Sequence, residues 1–350
     1  MRGLSVYLSQ PVTAAYETWL AEMRQSGFTS LFTSLHIPED DASVYTERLE
    51  HLGRIAKALE MELFADIAPT SLEALGKTWD DAHTLLDWGV TGLRVDYGVT
   101  PKQVADLSQR MTVALNASTL SETELAEMVR HGLDLRRVEA WHNFYPRPET
   151  GLDRDWFDAK NDWLKRQGLS VQAFIPGDGT LRGPLFERLP TLEDHRKLST
   201  FACYLDLEDS VDRILIGDPG LADETIEQFA SHADEMLVLR AEAGTTIEAA
   251  FYRVQTNRMD PARDVVRSVE SRGYGRPGDR LLEPMAARPR PLGTITVDNA
   301  KYGRYAGELQ ITKHDLVADE RVNVLGRVIE ADRPLIQAIG PGTKFRIEWC

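Results

Sequence analysis

The chain predicts an α/β fold: a closed (β/α)8 TIM barrel followed by a small all-β barrel domain. Three observations lead there. Short apolar runs alternate with stretches of helical periodicity through the first two thirds of the 350 residues, in units of about 20–40 residues, as βα repeats do. No GxGxxG fingerprint follows an early strand, which disfavours the open, doubly wound sheet. After Asp234 the alternation stops, and short strand-like runs separated by turn residues take over. The expected boundaries are 1–234 for the barrel and 235–350 for the small domain.

Gly3–Leu8 reads as the first strand and Val12–Gln25 as the first helix. Thr29–Ile37 precedes a helix over Ser43–Leu59, where Leu49, Leu52, Ile55, Ala56 and Leu59 recur at helical spacing. Glu62–Ile67 leads to a helix around Ser71–Trp88, and Gly92–Asp96 to one near Pro101–Ser108. Thr112–Leu115 is followed by Ser121–His131. Arg137–Ala140 is followed by Trp156–Gln167, whose start near Asp153 or Asp155 suits a helix N-terminus. Val171–Ile175 runs into a long insertion and a helix ending at Asp206, and Arg213–Ile216 into a helix from Ala222 to His232. In the small domain strands are expected at Met236–Ala241, Glu248–Val254, Thr294–Val297, Gly307–Leu316, Asn323–Ile329 and Thr343–Trp349. Arg263–Pro291 is rich in Arg, Gly and Pro, and its arginine cluster from Arg272 to Arg290 reads as a solvated linker in preference to an anion site.

Composition narrows the function classes. With 42% hydrophobic and 27% charged residues the chain is of globular type, and a formal charge of −15 argues against nucleic acid or an anionic membrane as main partner. A small anionic ligand remains compatible, because a few arginines can dominate a cleft. The N-terminus turns polar too quickly for a signal peptide, and no apolar run reaches the roughly 18 residues of a membrane span. Cys203 and Cys350 form no CxxC spacing, so neither a zinc site nor a disulfide framework is suggested, and a reducing cytoplasm fits. No cofactor or metal is expected.

In a (β/α)8 barrel, chemistry sits where strands end and βα loops begin. The expected ends carry Tyr7 and Ser9, His36, Asp66, Arg94 with Asp96 and Tyr97, Asn116, His142 with Asn143, Asp178, and Asp218. Arg94 and Asp96, two residues apart on a strand, are expected to share a face and pair. Asp178 lies in a Pro-Gly-Asp-Gly loop with little bulk, open to a ligand or closed as an Asx-turn. After the sixth strand, Pro146 and Pro148 stiffen a loop that gathers His142, Asn143, Tyr145, Arg147 and Glu149.

Several motifs together resemble one bacterial family: TSLHIPED over Thr33–Asp40, LRVDYG over Leu93–Gly98, LNAST over Leu115–Thr119 and HNFYPRPETGL over His142–Leu152. LPTLEDHR over Leu189–Arg196 and TITVDN over Thr294–Asn299, with Tyr302, Arg304, Tyr305, Glu308 and Gln310, extend the likeness over nearly the whole length. The chain is similar to the 6-phospho-N-acetylmuramidases. That resemblance implies a TIM barrel with a cyclophilin-like β-barrel. It also implies cytoplasmic hydrolysis of the β-1,4 bond in N-acetylmuramic acid 6-phosphate–N-acetylglucosamine during peptidoglycan recycling. The partner is then a phosphorylated amino-sugar disaccharide, and pairing of the chain into a homodimer is left open.

Such hydrolysis calls for a general acid and a second carboxylate. Position in the fold, not the resemblance, selects Asp96 and Asp178, with Glu149 as replacement for either. If the substrate's own acetamido group attacks instead, Asn116 and Tyr145 gain weight. Arg147 and Arg182 are candidates for the 6-phosphate, while His36, Arg94, Tyr97, His142 and Asn143 line the expected site. From the small domain, Asn299, Arg304 and Glu308 are expected to reach the ligand. A phosphosugar lyase or isomerase and a non-catalytic carbohydrate-binding protein are the alternatives. The lyase would prefer a lysine or a metal in the barrel, and no strand end carries a lysine.

Overall fold

The computed structural model describes residues 1–35, 44–95, 98–273 and 282–350. Of the site candidates, His36, Asp96 and Tyr97 lie outside the described residues. Contacts divide the chain into two units, Met1–Ile226 and Glu227–Cys350.

The first unit holds β1 (Arg2–Ser5), β2 (Phe28–Ser34), β3 (Glu62–Ile67), β4 (Gly92–Val95), β5 (Thr112–Asn116), β6 (Val138–Trp141), β7 (Ser170–Ile175) and β8 (Arg213–Ile216). They close in sequential order into a parallel barrel, β1 pairing with both β2 and β8. The helices are α1 (Ala14–Gln25), α2 (Tyr45–Ala58), α3 (Pro69–Ala74), α4 (Pro101–Ser108), α5 (Glu122–Arg130), α6 (Arg154–Arg166), α7 (Thr200–Leu207) and α8 (Asp223–Ala233). Their starts are written locally. Thr100 and Gln103 form a reciprocal capping box ahead of α4, with Pro101 inside the first turn, and Ser121 and Glu124 do the same for α5. Asp153, not Asp155, caps α6 by accepting the Trp156 N–H at 3.0 Å. The helix expected over Ser71–Trp88 is broken into α3 and a 3₁₀ helix, Ala82–Trp88. Gly76 turns left-handed at φ 66°, and Asp81 then accepts the Thr78 N–H at 2.5 Å, closing a turn between the two pieces.

Side chains two residues apart on each strand point into the barrel and stack in layers. At the amino end the buried Arg213 guanidinium donates to Glu139 at 2.9 and 3.1 Å, to Glu62 at 2.7 Å and to Ser30 at 2.8 Å. Above it Phe32, Phe64, Trp141 and Phe174 pack with Ala114 and Leu215. The Trp141 ring lies 4.6 Å from Phe64 and 5.9 Å from Phe32, centroid to centroid. Gly92 makes room for this layer, because a Cβ there would lie 2.3 Å from the Phe64 ring. One step further toward the carboxyl end stand Ser34, Asp66, Arg94, Asn116 and Asn143.

The second unit is a mixed sheet of β9 (Met236–Ala243), β10 (Gln255–Thr256), β11 (Val265–Arg267), β12 (Thr294–Asp298), β13 (Leu309–Thr312), β14 (Val322–Val328) and β15 (Lys344–Trp349). Their order is β10-β15-β9-β14-β12-β13-β11, with β9 and β15 parallel and the other pairs antiparallel. The outer strands nearly meet. Asn257 bridges to Ser268, and the Val269 N–H reaches the Thr256 carbonyl at 2.9 Å, so the sheet is an almost closed barrel. The strand expected over Glu248–Val254 is instead a 3₁₀ turn, Ala249–Tyr252, which buries Phe251 through a Phe251 N–H to Glu248 carbonyl bond of 3.0 Å. Among the described residues no helix is long and apolar enough to cross a membrane.

The layer order predicts a stability effect. Arg213→Ala strands the largely buried Glu139 beneath the aromatic layer and should lower the unfolding free energy by about 3 kcal/mol. Urea denaturation checks this, and adding Glu139→Gln should recover part of the loss.

Candidate active site

The polar layer at the carboxyl end is built around Arg94, which is 3% exposed. Its Nη1 donates to Asp66 Oδ1 at 2.9 Å, and its Nη2 donates to Asn143 Oδ1. Asp96, the partner expected for Arg94, lies outside the described residues; among these Asp66, which β3–β4 pairing places directly beside Arg94, is ion-paired with it. Strand register decides this, and register is invisible in a single strand's pattern. The Asp66 side chain is partly exposed, with the Arg94 guanidinium on one side of its carboxylate. Asn116 is buried, and its Oδ1 accepts the Ser118 N–H at 3.0 Å, which fixes the start of the loop after β5.

The loop after β6 divides its residues between two sides. Asn143 and Phe144 turn toward the barrel, where the Phe144 ring meets Phe174 edge-on at 5.1 Å. His142 turns the other way, toward α6: its Nε2 lies 2.7 Å from Asn161 Oδ1 and its ring packs on Phe157. Burial pushes its pKa down to about 4. This placement corrects the expectation that His142 lines the site, for the residue after the inward Trp141 must face outward.

Beyond it, Tyr145 is half-buried while Arg147 and Glu149 are exposed. Glu149 sits in the left-handed region, φ 70°, and its N–H is held by Glu193 Oε1 at 2.9 Å. Glu193 also accepts from the Gly151 N–H at 2.8 Å and from Arg196 at 2.6 and 2.7 Å. Hydrogen bonding from Arg196, foremost, holds the Glu193 carboxyl down at about 2. Arg196 in turn donates to the Tyr145 carbonyl at 3.0 Å and the Arg147 carbonyl at 3.3 Å. The LPTLEDHR motif is thus a clamp on the HNFYPRPETGL loop, a role that sequence reading did not assign.

The loops after β7 and β8 are tied to each other. Asp178 accepts the Ala222 N–H at 3.0 Å and the Thr225 hydroxyl at 2.6 Å, and so closes off the start of α8. The glycines beside it serve that contact: a Cβ at Gly177 would come 2.6 Å from the Gly220 carbonyl, and one at Gly179 would come 2.7 Å from Leu221. The expected open approach for a ligand is therefore taken by the neighbouring loop. Asp218 is buried and accepts N–H groups from Gly177 at 2.9 Å, Leu189 at 3.0 Å and Arg182 at 3.1 Å. Arg182, with its backbone held there, lays its guanidinium 4.5 Å from the Tyr7 ring centre and 5.5 Å from that of Phe144.

In the second unit the Asp298–Gln310 motif forms its own cluster. Asn299 is buried, its amide donating to the Glu320 carbonyl at 3.0 Å and to Asn323 Oδ1 at 2.9 Å while its oxygen accepts the Lys301 N–H at 3.1 Å. With both ends of the amide engaged it is a turn-former, which is at odds with the ligand contact expected of it. Arg304 is exposed and donates to the Tyr305 hydroxyl at 2.6 Å. Glu308 is gripped by Arg267 at 2.6 and 2.9 Å, and Gln310 donates to it at 3.0 Å. Burial, and then the charge of Glu308, push the Asp298 carboxyl up to about 7. A raised carboxyl pKa favours the folded state at low pH, and that contribution is lost as pH rises from about 3.9 through 7. Asp298→Asn should therefore gain on the parent chain across that window, by on the order of 2–4 kcal/mol when complete. Denaturation at pH 5 and pH 8 reads the difference; an equal effect at both would contradict it.

Two family models match the chain: that described as 6-phospho-N-acetylmuramidase, N-terminal, over residues 2–231, and its C-terminal counterpart over residues 237–348. Among solved structures, a conserved Enterococcus faecalis protein of unknown function is 41% identical, with 100% of this chain and 96% of that one covered and a TM-score of 0.90. An uncharacterized B. cereus protein, 24% identical over 99% of each chain, shares the fold with a TM-score of 0.71. Comparison with curated proteins gives no match. With both models matching and nearly every residue covered, the chain belongs to the 6-phospho-N-acetylmuramidase family.

Proposed function

We propose that this chain is a glycoside hydrolase that cleaves the β-1,4 bond between N-acetylmuramic acid 6-phosphate and N-acetylglucosamine, acting in the cytoplasm during peptidoglycan recycling. The observation that carries the reading is the pair of family matches across both units. The polar layer above the aromatic floor supports it. Glycosidic cleavage passes through an oxocarbenium-like state that a carboxylate must face while a second group protonates the leaving oxygen. Asp66, partly exposed and ion-paired with Arg94, is assigned the first task. Asp96, two residues beyond Arg94 in the sequence, is assigned the second. Asp178 is set aside, because its oxygens already hold Ala222 and Thr225. Asn143, held by Arg94, and Tyr145 are assigned to the sugar. Arg147, exposed on its proline-stiffened loop, is assigned to the 6-phosphate.

The direct test incubates the purified protein with the phosphorylated disaccharide and, separately, with its unphosphorylated twin, and follows products by mass spectrometry. Cleavage of the phosphorylated compound alone is expected. Intact disaccharide in both would overturn the hydrolase reading and favour a binding protein or a lyase. In the same assay Asp66→Asn should cut kcat by about 10²–10⁴ with little change in KM. Asp178→Asn should instead cost about 1 kcal/mol of stability, as a lost cap does, and leave kcat nearly intact. Abolished turnover with unchanged melting in that variant would return Asp178 to the chemistry.

A further inference from the structure

At the carboxyl end of the barrel, between the loops after β1, β7 and β8, lies a cavity of about 290 Å³. Its walls are mostly apolar: Val12, Tyr16, Leu181 and Pro219 line it together with the Tyr7 ring and Arg182. The walls are anchored to one another. The Tyr7 hydroxyl donates to the Gly217 carbonyl at 2.6 Å and the Tyr16 hydroxyl to the Pro219 carbonyl at 3.4 Å, while Asp218 holds the Arg182 N–H. The volume lies at the bottom of the range of about 300–1,000 Å³ that whole small ligands occupy, so the cavity suits one branch of a substrate better than a disaccharide.

Arg182 is the charge in that cavity. Its guanidinium rests over Tyr7 and near Phe144, which itself packs on Phe174 in the barrel interior, so the cation stands at the rim of the barrel opening. Asp218, which holds the Arg182 backbone, directs both oxygens to N–H groups of Gly177, Leu189 and Arg182 itself. No carboxylate of the described residues forms an ion pair with the Arg182 side chain. An arginine fork without a carboxylate, set in an apolar pocket, is complementary to an anion that carries its own apolar group.

A phosphate fits this place poorly. Phosphate sites in such barrels draw on backbone N–H groups at a helix start near β7 and β8. Here that position at α8 is filled by Asp178, whose carboxylate takes the Ala222 N–H and the Thr225 hydroxyl. One guanidinium in a cavity lined by Val12, Leu181 and Pro219, with Ser9, Gln10 and Thr180 as its neutral polar groups, matches a monoanionic carboxylate with a methyl beside it. A muramyl sugar carries such a group, the 2-alkoxypropionate ether on its ring, and a glucosaminyl sugar does not.

We propose that this cavity is the subsite for the lactyl carboxylate of the muramyl residue, with Arg182 as the specificity-determining clamp. The proposal rests on the hydrolase reading above, and it divides the substrate's two anions between two arginines. Arg182 takes the carboxylate, and Arg147 is left for the phosphate.

The test uses the full chain and two chromogenic substrates, the 4-nitrophenyl β-glycosides of N-acetylmuramic acid 6-phosphate and of N-acetylglucosamine 6-phosphate. They share the leaving group and the phosphate and differ only in the lactyl ether. The parent chain should prefer the muramyl compound by on the order of 10²-fold or more in kcat/KM. Arg182→Gln should erase most of that preference by losing rate on the muramyl compound alone. Arg182→Lys, which keeps the charge and loses the fork, should fall between. Equal losses on both substrates would overturn the proposal, since they would make Arg182 a phosphate ligand or a structural residue. So would a parent chain that cleaves both equally well. Cleavage of neither substrate by the parent chain would instead remove the hydrolase reading itself.

Discussion

The indole of Trp141 lies across the barrel between two charged layers, and both depend on its place. Below it Arg213 is held by Glu139 and Glu62, and the Trp141 N–H donates to Glu139 at 2.7 Å. Above it Asp66, Arg94 and Asn143 form a second network. Phe32, Phe64 and Phe174 complete a dry layer that keeps the networks apart. Interactions among charges strengthen where water is excluded, so a floor of rings makes the upper network a defined platform. The alternation of inward and outward residues along each strand then forces Asn143 onto that platform and His142 behind it.

Above the platform, positions are set by side chains that reach backbone. Glu193 and Arg196 fasten the loop after β6 at the Glu149 and Gly151 N–H groups and at the Tyr145 and Arg147 carbonyls. Asp218 fastens the loop that carries Arg182, and Asp178 fastens the start of α8. Each carboxylate so engaged fixes the backbone of a neighbouring segment. Rigid placement of the groups that do meet a substrate is itself a large part of catalysis.

The second unit follows the same logic in a sheet. Asp298 at the end of β12 faces Glu308 just before β13, where two buried carboxyls cannot both be comfortably charged. Arg267 secures the charge of Glu308, and Asp298 takes the consequence as a raised pKa. Buried Asn299 and Asn323 close the adjoining turn amide to amide.

The fold class, the change of architecture after the eighth βα unit and most helix starts were legible in the sequence. They arise from local causes: periodicity, capping boxes at Thr100 and Ser121, and turn residues between strands. The HNFYPRPETGL loop stands out in the sequence for the same reason, since its prolines and reactive side chains are contiguous. Its clamp could not, because Arg196 lies far along the chain from the carbonyls it holds. Nor could the pairing of Arg94 with Asp66, which follows from register between β3 and β4, or the capping role of Asp178, which depends on α8 arriving beside it. The sequence determined what each segment is and which residues stand at strand ends. Tertiary structure alone decided which of those residues meet, because a hydrogen bond of about 3 Å is shorter than any reach that chain order can specify.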